Sequence, residues 1–162
     1  FNEVKSFLYM CNEPDIYDSL HLNLTIGDGK SFYETVLLKK YQHLKNVSFK
    51  GMLNRDEINH EYSNCDVVVF PSKLETWGLP ITEAKAFNKP IILADLDYAK
   101  ETLNTYDKVK FVDVNDSIHL ASVLEDVVKK KEVFKKFTFI KDNSKNYASW
   151  DELSSFICAS SK

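Results

Sequence analysis

Cysteine is scarce in this 162-residue chain: Cys11, Cys65 and Cys158 are odd in number and widely spaced, a pattern that suggests neither a disulfide framework nor a zinc cluster. A reducing, cytoplasmic compartment is the simplest expectation. The four histidines, His21, His43, His60 and His119, show no mutual spacing for a metal site and no neighbouring nucleophile pattern. They read as structural or exposed residues. Positive charge is not in surplus either. A formal net charge of −3 argues against a nucleic-acid binder that relies on bulk electrostatics, while a small anion held by backbone N–H groups stays compatible with that total. No stretch of the sequence reads as a signal peptide, and no apolar run approaches the roughly 18 to 20 residues of a membrane-spanning helix. A soluble chain is expected, with peripheral membrane attachment of a larger protein left open. Internal repeats and low-complexity tracts are lacking. The first residue is not methionine, and Phe1, Val4, Leu8 and Cys11 fall on one face at helical spacing. We therefore expect a fragment that begins inside, or just before, a helix.

What is present is an ordinary globular composition, 44% hydrophobic and 13% aromatic, enough for one domain with a core. Leu22, Leu24 and Ile26 alternate with Asn23 and Thr25 up to Gly27-Asp28-Gly29, which predicts a strand ending in a turn. Tyr33, Val36, Leu37, Tyr41 and Leu44 give the next segment a helical stripe, and Val47 to Gly51 reads as a short strand. Ile58 and Tyr62 mark a short helix. Val67-Val68-Val69-Phe70 and Ile91-Ile92-Leu93-Ala94 are continuous apolar runs, as in parallel strands buried on both faces. Between them, Pro80 suits the first turn of a helix over roughly 80–88, and Asn88 suits the left-handed position at its end. Val109, Phe111 and Val112 predict another strand, and Leu120, Ala121, Leu124, Val127 and Val128 line a helical face. Ser149 and Glu152 give a final helix a capping-box start. Strands and helices alternate, so the expected class is α/β, a Rossmann-like parallel sheet with helices on both faces.

The segment from Pro71 to Ala84 carries the chemistry. Glu75 and Glu83 stand seven intervening residues apart across a strand-to-helix turn, at a strand's carboxyl end, where open α/β sheets bind their ligands. Ionised carboxylates accept short, charge-assisted bonds from hydroxyls, while N–H groups at a helix start suit a phosphate. A sugar nucleotide presents both hydroxyls and a diphosphate. The expectation puts Glu75 in the loop, Glu83 on the first helical turn, and Gly78 where a ligand approaches the backbone closely.

These residues resemble the E-x7-E signature of retaining GT-B glycosyltransferases of group 1, particularly the large family four, and the likeness covers nearly the whole chain. Gly27-Asp28-Gly29 looks like the family's strand-end turn, Val47 to Gly51 like its V-x-F-x-G strand, Tyr62 to Val67 like its Y-x-x-x-D-V segment, and Phe70-Pro71-Ser72 like its V-x-P-S. Leu93 to Thr102 is similar to a segment of bacterial members that assemble surface polysaccharides. The resemblance implies that residues 1–162 form the C-terminal, nucleotide-sugar-binding domain, truncated at its N-terminus and lacking the acceptor domain. The intact enzyme would transfer the sugar to a saccharide or lipid-linked acceptor with retention. Glu83 would bond the ribose hydroxyls, and Glu75, as the catalytic residue, would lie near the transferred sugar or its phosphate. Backbone groups around Trp77, Gly78 and Leu79 would contact the sugar and diphosphate, and Met52 and Leu53 would lie beside the base. Asp28, in the strand-end turn, divides between bonding its own turn and contacting the donor. No metal or other cofactor is implied. Family members usually neutralise the diphosphate with a basic pair from the domain's first strand and helix. Such residues are expected upstream of Phe1, so the fragment should bind nucleotide weakly.

Plainer readings accompany these. Lys129-Lys130-Lys131 fits a solvated helix end, and Lys73 and Arg55 fit exposed surface better than a substitute phosphate site. Trp77 either packs under the loop or walls the sugar pocket. Glu83 alone would be explained by the helix dipole, and Glu101 has no assigned role. The rival functional readings are a non-catalytic nucleotide- or sugar-binding module and a sugar-nucleotide epimerase.

Overall fold

The computed structural model describes residues 14–26, 32–75 and 77–140. The helical face at Phe1 to Cys11, the turn holding Asp28 and the capping box at Ser149 lie outside them. Helices and strands alternate through α1 (Pro14–Ser19), β1 (Leu22–Leu24), α2 (Phe32–Tyr41), β2 (Val47–Phe49), α3 (Arg55–Asn64) and β3 (Val68–Phe70). They continue through α4 (Leu79–Ala86), β4 (Ile91–Ala94), α5 (Asp97–Leu103), β5 (Thr105–Val112), α6 (Ser117–Val128) and β6 (Lys135–Thr138). The α/β class expected from the alternation is the class observed. β1 and β2 pair in parallel as one sheet, and β3-β4-β5-β6 form a second. Within the second, β3, β4 and β5 run parallel, and β6 adds an antiparallel edge that the hydrophobic pattern did not predict.

Alternation decides which side chains meet which helices. Ile91 and Leu93 of β4 join Val68 and Phe70 of β3 on the face covered by Ile81 and Ala84 of α4 and Ala99 and Leu103 of α5. Ile92 and Val69 point the other way, against Leu120 and Val123 of α6. A strand's period of two makes this division unavoidable. All four β4 residues are buried, and each of its large side chains contributes roughly 1.5–3 kcal/mol of burial. β3, read from its sequence as buried on both faces, is only half-buried. Its one bonded neighbour among the described strands is β4, so it lies at an edge of that sheet.

Two helices tie the sheets together. Leu124 of α6 packs both with Val47 and Ile16 beside the two-stranded sheet and with Ile92 and Val112 of the four-stranded one. On α3, Glu61 takes bonds from Asn23 of β1 (2.7 Å) and Lys50 after β2 (3.1 Å). From the same helix Tyr62 stacks on Phe87 after α4, with ring centroids 5.5 Å apart. α3 begins with a full capping box, Asn54 accepting from the Glu57 backbone and Glu57 from that of Asn54. Such a cap fixes where the helix starts, and so where Arg55 projects.

Candidate active site

The loop from Pro71 to Gly78 leaves the carboxyl end of β3 and enters α4, as the sequence led one to expect. Pro80 falls in the first turn, where its missing N–H costs nothing. Asn88 takes φ 54° just beyond the helix, the left-handed stop read from the sequence. The loop is pinned from α5: the Tyr98 hydroxyl donates to the Ser72 carbonyl at 2.6 Å. Burial raises the Tyr98 phenol above its ordinary pKa, and the nearby Glu75 carboxylate raises it further against the lowering effect of the Ser72 bond.

Gly78 corrects one expectation. It adopts the left-handed conformation with φ 59° and caps α4, but its missing side chain faces the protein. A Cβ there would stand 2.9 Å from Thr102 Cγ2 and 3.3 Å from Ile81 Cδ1. The glycine therefore serves close packing of the loop on α5 together with a backbone turn that other residues resist. Glu83 supplies a second correction. It is the fifth residue of α4 and lies beyond the first turn, which holds no acidic residue. Dipole stabilisation, which fades after the first turn, is thereby weakened as its explanation.

The two acids take different partners. Glu75 accepts from the Trp77 backbone N–H at 3.4 Å. Glu83, with 18% of its side chain exposed, pairs with the Arg55 guanidinium and lies near the Tyr62 phenol. Burial, then the nearby Glu83 carboxylate, raise the Tyr62 phenol far above its ordinary pKa. Arg55 is exposed, with 64% of its side chain accessible, as the plainer reading had it, and it is also paired. Its pairing links the first residue of α3 to Glu83 on α4. Lys73, the other candidate cation, bonds Asn115 Oδ1 at 2.6 Å. Trp77 is 79% exposed, which removes the option that it packs under the loop, and Met52, Leu74 and Leu79 are also exposed.

Tyr62 and Tyr98 entered the sequence reading without site roles, yet Tyr62 lies near the second acid and Tyr98 bonds the loop of the first. For Tyr62 the signal was available, because Arg55 and Tyr62 recur at helical spacing on one face. Tyr98 gave no such cue. Among the described residues no cluster of histidine, cysteine, aspartate and glutamate is arranged to hold a metal ion, and no helix is long and apolar enough to cross a membrane.

The structure is that of a parallel-dominated α/β domain with one carboxylate in a strand-to-helix loop and a second on the helix that the loop enters. Comparison with known proteins gives that domain a family: residues 19–145 match the glycosyl transferases group 1, and the chain belongs to it. A sulfoquinovosyl transferase of Arabidopsis thaliana is 39% identical over 69 residues, 43% of this chain and 13% of that protein. An O-antigen chain mannosyltransferase C of Escherichia coli is 28% identical over 116 residues, 69% of this chain and 31% of that protein. The chain thus spans a third or less of these relatives' lengths. No solved structure matches it significantly.

Proposed function

We propose that this chain is the donor-binding, C-terminal domain of a retaining glycosyltransferase. In this reading the intact enzyme moves a sugar from a nucleotide-activated donor to an acceptor hydroxyl in the synthesis of a surface polysaccharide or glycoconjugate. The observation that carries it is the pairing across α3 and α4. Glu83 is a mostly buried carboxylate paired with Arg55, the first residue of α3, and Met52 and Leu53, proposed to lie beside the base, come just before that residue in the chain. A ribose adjoining a base needs that order of groups.

Glu83 then accepts from the ribose hydroxyls, and the backbone from Trp77 to Leu79, at the start of α4, faces the sugar and diphosphate. Glu75, held in the loop that Tyr98 pins, stands near the transferred sugar. Catalysis rests on positioning and on stabilising the leaving diphosphate as the glycosidic bond loosens. The two relatives, named as a sulfoquinovosyl and a mannosyl transferase, support sugar transfer and differ in the sugar. In the intact enzyme Glu75→Gln should cut kcat by roughly a hundredfold, the scale of a lost electrostatic contact at a reacting centre, with donor KM changed far less. Donor consumption and the anomeric configuration of the product, both followed by NMR, check this. Unaltered turnover, or an inverted product, would overturn the assignment.

A further inference from the structure

We propose that the face of α3 carrying Arg55 and Tyr62 presets Glu83 for its ligand: Tyr62 is a positioning residue that holds the carboxylate from the protein side, and Arg55 is a latch that occupies its open side until a vicinal diol displaces it. The proposal rests on the reading of Glu83 as the ribose acceptor.

Helical spacing builds the arrangement. Arg55 and Tyr62, two turns apart on α3, share a face, and Glu83 and Phe87, one turn apart, form a ridge along α4. Tyr62 lies along that ridge. Its ring stacks on Phe87 with centroids 5.5 Å apart at an interplanar angle of 20°, which keeps its phenol near the Glu83 carboxylate. Anchored at the ring, this phenol cannot leave without disturbing the packing of α3 on α4. Arg55 differs in each respect. It is the first residue of its helix, its side chain is 64% exposed, and the charge pair with Glu83 is its contact across to α4. Exposed ion pairs are held weakly, because water competes for both charges and a long side chain must be immobilised.

A carboxylate with one fixed and one removable neighbour is suited to exchanging the removable one. Without ligand, Arg55 supplies the countercharge to a mostly buried carboxylate, whose open oxygen would be costly to leave unbonded. The vicinal hydroxyls of a ribose are donors of the same kind and compete for the same oxygens. The latch therefore lowers apparent affinity by the fraction of molecules in which it is closed.

Dissociation constants for the ribonucleotides UDP, GDP, ADP and CDP, measured by ligand-observed NMR on this chain, identify the tightest binder to use as probe. For that nucleotide Arg55→Gln should tighten binding about threefold to fivefold, the fold-change matching the usual strength of an exposed ion pair. Tyr62→Phe, which keeps the ring on Phe87, should weaken it by a similar factor. Weaker or unchanged binding in Arg55→Gln would overturn the latch, making Arg55 a ligand contact or a bystander. A ligand-free arm separates the two readings: thermal-melt double-mutant cycles with Glu83→Gln should show coupling to both Arg55→Gln and Tyr62→Phe. Lack of coupling overturns the latch even where nucleotide binds. Coupling in a wild-type chain that binds no nucleotide of the panel overturns the ribose reading, and the proposed occupant with it.

Discussion

Gly78 shows how much of the candidate site is fixed by one missing side chain. Its φ of 59° is open to glycine and costs other residues about 1–2 kcal/mol, and a Cβ would meet the Thr102 methyl at 2.9 Å. Together with about 1–3 kcal/mol for overpacking, Gly78→Ala should destabilise the chain by roughly 2–5 kcal/mol. Adding Thr102→Ser, which removes that methyl, should restore the packing part and leave the conformational part. Denaturant melts of the single and double variants check this. A neutral single variant, or no recovery in the double, would contradict the account. The glycine was visible in the sequence, but its reason was not. Nothing in the order of residues says that Thr102, on the next helix, would close against it.

Among elements, legibility followed the length and periodicity of the apolar pattern. The strand Ile91–Ala94 was read to the residue because its four apolar side chains are bounded by Pro90 and Asp95 and it lies between two strands, whereas the like run at Val67–Phe70 lies at an edge and is half-buried. The helix after the loop was read a residue or two late, since Gly78 caps it without a side-chain bond. α5 escaped because its seven residues bury only Ala99 and Leu103, too few for a stripe to stand out. β6 escaped for a related reason. Phe137 alone turns inward, edge-on to Phe111 with ring centroids 5.0 Å apart, and the flanking residues are exposed. Lysines at positions 135 and 136 leave the pattern polar, and charges of this kind also discourage further pairing at a sheet edge. The Glu75 and Glu83 spacing was plain in the sequence, whereas the Arg55 partner of Glu83 came from α3 and the Tyr98 pin on the Glu75 loop from α5, which only the packed structure brings near.

For the whole molecule, phenol burial makes stability depend on alkaline pH. Tyr62, Tyr98 and Tyr106 are all raised from an ordinary value of 10.0, each first by burial. The folded chain thus holds these protons more tightly than the unfolded one. Their contribution is complete below pH 10 and is lost as pH rises beyond it, where the unfolded phenols ionise first. Denaturant midpoints should therefore fall between about pH 10 and 12, and Tyr62→Phe should flatten that fall. A midpoint constant across this range would contradict the burial. The same packing of α3 on α4 that raises Tyr62 brings Arg55 to Glu83, so fold and candidate site share one interface.

The central claim is that this domain binds a nucleotide-activated sugar through Glu83. It is tested most directly by a ligand-observed NMR screen of sugar-linked UDP, GDP, ADP, CDP and dTDP against the chain and its Glu83→Ala variant. The account predicts selective binding of one nucleotide class that is lost in the variant; binding that survives the substitution unchanged, or silence across the panel at millimolar ligand, would contradict it.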